Sequence, residues 1–216
     1  TCALLDNDQV KCWGTNFSGS LGLGDTNHRG DGPGEMGDDL PAVGLVPAND
    51  DFANAERITG TTGSRRGSNA NAVDEPPDEP LHDGFVGTDS SVWYRWTAPV
   101  TGPVRMDTFG STFDTVLAVY TGGQLAALTP VAANDDTSVP PSLQSQVRFR
   151  ANAGTTYRLA VTGFNARSGR ITLNWRQIPP CDGRPVTVAR AFGDSPTNGN
   201  DVIRGTNGPD TINGLG

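Results

Sequence analysis

From residue 91 onward the chain alternates between apolar and polar positions. In SVWYRWTAP, Val92, Tyr94 and Trp96 fall on one side, and Trp93, Arg95 and Thr97 on the other. PVRMDTF, DTVLAVYTG, SQVRFRANAG, TTYRLAVTGFN and GRITLNWRQ follow, each a strand-length run closed by Gly, Pro or Asn. In the last of them Ile171, Leu173 and Trp175 oppose Arg170, Thr172 and Asn174. A period of two with one polar face predicts an antiparallel sheet that is wet on one side. A series of such strands at short spacing predicts a β-sandwich, and this is the one stretch equipped to fold alone.

The flanks have a different texture. CALLDNDQVKCWG places two short apolar stretches around a turn at Asp6 to Asp8, which predicts a β-hairpin. Cys2 and Cys12 then face each other across the hairpin, near enough for a cross-strand disulfide, and Cys181 is left unpaired. Residues 15–43 are glycine-rich and nearly free of periodicity. Next, Pro47 and the Asn49–Asp50 pair precede Phe52, Ala53, Ala55 and Ile58, a pattern that reads as an N-cap and a short helix. Residues 59–90 are polar and predict an extended loop or weak edge strands.

Composition sharpens this picture. Hydrophobic residues make up 35% and charged residues 19%, with 28 glycines and 16 prolines among 216 residues. That is too little apolar material for one large core and too many turn formers for a helical protein. The formal charge of −8 argues against nucleic acid and anionic membrane surfaces as partners. The apolar runs are strand-sized, which predicts no membrane span. An opening TCALLDNDQV without an initiator Met reads as the inside of a longer protein, so the lack of a signal peptide is uninformative about export.

Signals for catalysis are poor. His28 and His82 lie in unrelated segments, and neither HExxH nor GxSxG occurs. GDSP at Gly193 to Pro196 reads as a loop. Acidic side chains in Gly/Asn-rich loops suit a divalent cation instead. Asn134, Asp135 and Asp136, together with Asp114, are candidate oxygen donors for one ion, and His82 beside Asp83 is a further candidate pair. Turn chemistry, with Asx side chains bonding their own backbone, is the simpler reading of Asn134 to Asp136.

Three resemblances follow from particular residues. Cys2 to Leu5, Cys12-Trp13-Gly14, Leu21-Gly22-Leu23-Gly24-Asp25 and the Arg29-Gly30-Asp31 region resemble one bacterial repeat of the regulator-of-chromosome-condensation type. The resemblance implies about one β-propeller blade, which cannot bury its own faces. PANDDFANA, Glu79-Pro80 with His82, SVWYRWTAP, FDTVLAVYTG, NDD, AGTTYRLAVTGF and GRITLNW resemble the bacterial pre-peptidase C-terminal domain. That implies a jelly-roll-like, non-catalytic sandwich, in a family some of whose members bind calcium or polymeric substrates. At the end of the chain, PTNGNDVIR above GTNGPDTIN aligns Gly199 with Gly208, Asp201 with Asp210 and Ile203 with Ile212. This resembles the repeats-in-toxin nonapeptide, in which Asp and turn carbonyls hold Ca²⁺ and the apolar residue points into a thin core.

The expectation is therefore an all-β chain. Residues 1–46 form a partial β-propeller blade, 47–177 a jelly-roll-like β-sandwich, 178–195 a linker, and 196–216 an incomplete parallel β-roll that breaks off within a repeat. Gly199, Asn200, Asp201, Gly208 and Asp210 would supply incomplete Ca²⁺ sites. The function expected is non-catalytic binding or scaffolding by a secreted or cell-surface protein, directed at an extracellular polymer or surface ligand. The alternative is a set of accessory modules for a secreted hydrolase whose catalytic domain lies elsewhere.

Overall fold

The alternating runs do form two layers of sheet. The structure is a computed structural model, and it describes residues 1–5, 10–82, 90–138, 141–181, 183–184, 186–195 and 201–206. The chain divides into two compact units, Thr1–Val46 and Pro47–Gly216.

In the first unit, strands Cys2–Leu4 (β1), Val10–Cys12 (β2) and Ala42–Val43 (β3) make one antiparallel sheet in that order. Thr1 and Trp13 exchange both backbone hydrogen bonds, at 2.8 Å each. The next pair inward, Cys2 and Cys12, is therefore a non-hydrogen-bonded pair, the kind that brings side chains closest. Their Cα atoms are 4.1 Å apart and the disulfide is formed. The turn that joins the strands lies outside the described residues. Beyond β2 the backbone is held by side chains. The buried Asn16 accepts from the Leu21 N–H at 2.8 Å and donates to the Asp25 carbonyl at 2.9 Å.

The second unit begins with Glu56–Ile58 (β4) and Thr62–Ser68 (β5). Val92–Thr97 (β6), Gly102–Asp107 (β7), Thr115–Thr121 (β8) and Thr129–Asn134 (β9) follow. A small ribbon of Thr137–Ser138 (β10) and Pro141–Ser142 (β11) leads to Gln146–Ala151 (β12), Thr156–Gly163 (β13) and Arg170–Gln177 (β14). One sheet has the order β12-β7-β14-β5 and the other β4-β6-β13-β8-β9. All pairs within them are antiparallel except β4 with β6.

The inward faces meet as expected. Tyr94, Trp96, Leu117, Leu159 and Val161 of the five-stranded sheet pack with Val104, Met106, Ile171, Leu173 and Trp175 of the other. β5 approaches this core closely, and its glycines explain how. A Cβ at Gly63 would sit inside the Trp175 indole, and one at Gly67 would lie 2.7 Å from the Tyr94 hydroxyl.

Three features depart from the sequence reading. The outer face of the five-stranded sheet is dry over half its length. Trp93 is fully buried there with Ala118, Tyr120 and Ala160, beneath Phe52 and Ala55. The expected helix after Pro47 is a single 3-10 turn, Phe52–Asn54. Its would-be caps serve tertiary contacts instead: Asn49 donates to the Trp93 carbonyl at 3.0 Å, and Asp50 accepts from the Val73 N–H at 2.9 Å. The stretch 178–195, expected as a linker, carries a small core of Ile178, Val186, Ala189 and Phe192. Arg150 donates to the Val186 carbonyl at 2.6 Å and Arg148 to that of Phe192, so β12 ties the segment down. Val188–Ala189 (β15) then pairs in parallel with Ile203–Arg204 (β16).

Candidate functional site

β8 and β9 run antiparallel, so the residue before β8 and the residues after β9 lie at the same end of the sheet. The register pairs Leu117 with Asn134. Asp114, Asp135 and Asp136 are thereby brought together, each offering one carboxylate oxygen, with these oxygens all within 4.8 Å of one another. The end of the sheet that carries them is stiff. Thr108 and Thr115 hydroxyls are 2.6 Å apart, the Ser145 hydroxyl donates to the Thr115 carbonyl at 2.5 Å, and all three residues are buried. Phe164 N–H donates to the Asp114 carbonyl at 3.0 Å, which fixes its backbone from the β13 side.

Like charge crowds the Asp114 carboxylate. Burial raises the Asp114 pKa, the neighbouring Asp136 raises it further, and Arg167 opposes both. Asp114 Oδ1 is shielded from solvent, and no donor among the described residues reaches it. Asn134, part of the same predicted donor group, braces the turn. Its Oδ1 accepts from the Gln146 N–H at 2.9 Å and its Nδ2 donates to the Asp136 carbonyl at 3.0 Å. Three clustered hard-oxygen donors, one of them buried and unpartnered, fit a Ca²⁺-type ion. Carboxylates can ligate such an ion through one oxygen or two.

A second acidic group differs in this respect. Asp50 and Glu75 have pKa values raised first by burial, yet each carboxylate accepts a backbone N–H, from Val73 at 2.9 Å and from Phe52 at 2.5 Å. Glu79 is buried more deeply. Burial alone would raise its pKa, but hydrogen bonds from His82 and Ser91 outweigh it and the net shift is downward. Glu79 Oε1 faces His82 Nε2 at 3.2 Å and accepts from the Ser91 hydroxyl, while Oε2 accepts from the Glu75 N–H at 2.9 Å. His82 Nδ1 is 2.8 Å from the Tyr120 hydroxyl, and the ring is 1% exposed. Ser91 thus bonds the carboxylate rather than the imidazole, so no nucleophile–base pair is formed here. Protein donors already occupy these oxygens, which leaves the Asp114 cluster as the better cation site.

The remaining candidates are placed as follows. His28 Nδ1 accepts from the Asn16 N–H at 2.9 Å and its ring contacts Phe17 edge-on. Asp201 Oδ1 accepts from the Thr187 hydroxyl at 3.3 Å, beside the β15–β16 pairing. Gly199, Asn200, Gly208 and Asp210, and Asp83 beside His82, lie outside the described residues. Glu79 and His82 stand in one sequence motif, but nothing in the sequence joins them to Ser91 and Tyr120, which come from separate segments.

Among known proteins, no family model and no curated protein matches the chain. Solved structures do. The pre-peptidase C-terminal domain of a collagenase from Bacillus anthracis is 14% identical, with a TM-score of 0.38, covering 56% of this chain and 94% of that one. PliG of Aeromonas hydrophila, a periplasmic inhibitor of g-type lysozyme, is 14% identical with a TM-score of 0.34, covering 56% and 93%.

Proposed function

We propose that the chain is a non-catalytic binding or scaffolding part of an extracellular protein, and that its β-sandwich is braced by Ca²⁺ at Asp114, Asp135 and Asp136. The observation that carries this is the buried, unpartnered Asp114 oxygen within a cluster of three carboxylates. A bound divalent cation would add to the positive charge of Arg167 and offset the repulsion between Asp114 and Asp136. It would also lock the start of β8 to the end of β9. The Cys2–Cys12 disulfide supports an oxidising compartment. No helix among the described residues is long and apolar enough to cross a membrane. Within this reading Gly199, Asn200, Asp201, Gly208 and Asp210 belong to a second calcium region. Its ligand would be an extracellular polymer or surface.

The test is thermal unfolding of the full chain against calcium concentration. Calcium at a hundredfold excess over its dissociation constant should stabilise the sandwich by about 2.7 kcal/mol. Asp114→Asn and Asp136→Asn should each remove most of that gain, while Asp201→Asn leaves the sandwich transition unchanged. If calcium does not move the wild-type transition, or moves that of Asp114→Asn equally, the site is not there.

A further inference from the structure

On the outer face of the five-stranded sheet, beside the dry patch under Phe52, a row of arginines crosses three strands. Arg57 of β4 is the register partner of Arg95 on β6, and Arg95 is that of Arg158 on β13. Cross-strand like charges repel, and two such pairs in succession are costly. Elsewhere Arg29, Arg65 and Arg105 are paired with carboxylates, and Arg148 and Arg150 donate to carbonyls. Arg57, Arg95 and Arg158 make no ion pair among the described residues. They nevertheless sit in a chain of net charge −8. Arg158 is the most constrained of the three. Its guanidinium lies over the Phe52 ring at 4.5 Å from the centroid, and its Nε is buried without an acceptor. Burial lowers its pKa, and so does Arg95.

The three arginines line an open groove of about 660 Å³, together with Thr97, Thr121 and Thr156 and the Gly122–Gly123 turn. The polar part of the lining is guanidiniums and hydroxyls. We propose that this arginine row is a binding site for an acidic glycan, whose carboxylate or sulfate groups bridge neighbouring guanidiniums. Guanidinium forks hold such oxyanions by paired, charge-assisted hydrogen bonds. The spacing favours a glycan over an acidic peptide. Adjacent strands repeat at about 4.8 Å, whereas like-facing side chains of an extended peptide are about 7 Å apart. On an acidic glycan, carboxylate or sulfate groups of one ring or of adjoining rings can lie closer together than that. The threonine hydroxyls suit a ligand dense in hydroxyl groups.

The proposal deepens the binding-module reading and rests on it, but it does not require calcium. The full chain is titrated with a polygalacturonate oligosaccharide and with a heparin oligosaccharide, each in calcium and in EDTA, with neutral dextran and polyglutamate alongside. At least one acidic glycan should bind, equally in calcium and EDTA, and more weakly as salt rises. Arg95→Gln and Arg158→Gln should each weaken binding about tenfold, the loss of one charge-assisted contact. Arg66→Gln, at an exposed arginine of the other sheet with no ion pair among the described residues, should not. Arg95→Gln relieves repulsion, so its melting temperature should match or exceed that of the wild type, which separates lost binding from lost folding. Absence of binding to either glycan, equal loss in Arg66→Gln, or equally tight polyglutamate binding overturns the proposal. Binding that vanishes in EDTA yet survives Arg95→Gln overturns the arginine row and leaves the calcium reading standing.

Discussion

Asp114 shows how a single side chain can be a liability in one condition and an asset in another. Its pKa is raised in the folded state, first by burial and then by Asp136. A carboxyl that holds its proton more tightly when folded favours the native state at low pH. That contribution is lost as pH rises from the ordinary aspartate range through the raised value. Calcium needs the same group ionised, so its stabilisation grows over the same window. Calcium-free protein should therefore lose stability through this group as pH rises, and calcium should restore it. Asp114→Asn should flatten both trends, leaving a variant at least as stable as wild type without calcium at neutral pH. Denaturant melts of both proteins from acid to neutral pH, in EDTA and in calcium, read this directly. A variant that is strongly destabilised in EDTA at neutral pH would contradict it.

At the scale of elements, β5 is the most exacting strand. Trp175 of β14 lies across Gly63, its register partner, where a side chain would have to occupy the indole. Gly63→Ala should thus cost about 1–3 kcal/mol through overpacking, although alanine suits a strand better than glycine. Gly123→Ala, at a position with open space around it, is the control. Equal stability of the two variants would refute the packing argument. β6, β7, β8, β12, β13 and β14 were legible as strand-length apolar runs closed by turn residues, whereas β9 to β11 lack such a run. The dry outer face was not legible, since alternation assigns Trp93 to the polar side and its cover arrives from Phe52, in a separate segment before β4. The acidic cluster was legible as a donor set, Asp114 with Asn134 to Asp136, but the reason they meet was not: it is the pairing of Leu117 with Asn134. The arginine row was invisible for the same reason. Arg95 and Arg158 each read as an ordinary polar-face position until register places them side by side.

The whole molecule is two units with different means of support. The sandwich has a large core, whereas Thr1–Val46 buries few apolar side chains, chiefly Cys12, Leu21 and Leu40. Its disulfide closes a short loop, worth roughly 3 kcal/mol in chain entropy. Reduction should therefore make residues 1–46 the preferred target of limited proteolysis while the sandwich stays intact. Mass analysis of the digests, with and without reductant, checks this, and cleavage within the sandwich first would contradict it. The arrangement of the sandwich also sets a clock. β5 has β14 as its neighbour in the sheet, and Asn69 at its end accepts from the Gly169 N–H at 2.9 Å, 100 residues further on. At about 5–20 residues per second, a growing chain would make β5 some 5–20 s before its partner exists. Until then the glycine-notched edge is an open strand, and the newborn chain must be kept from pairing it elsewhere.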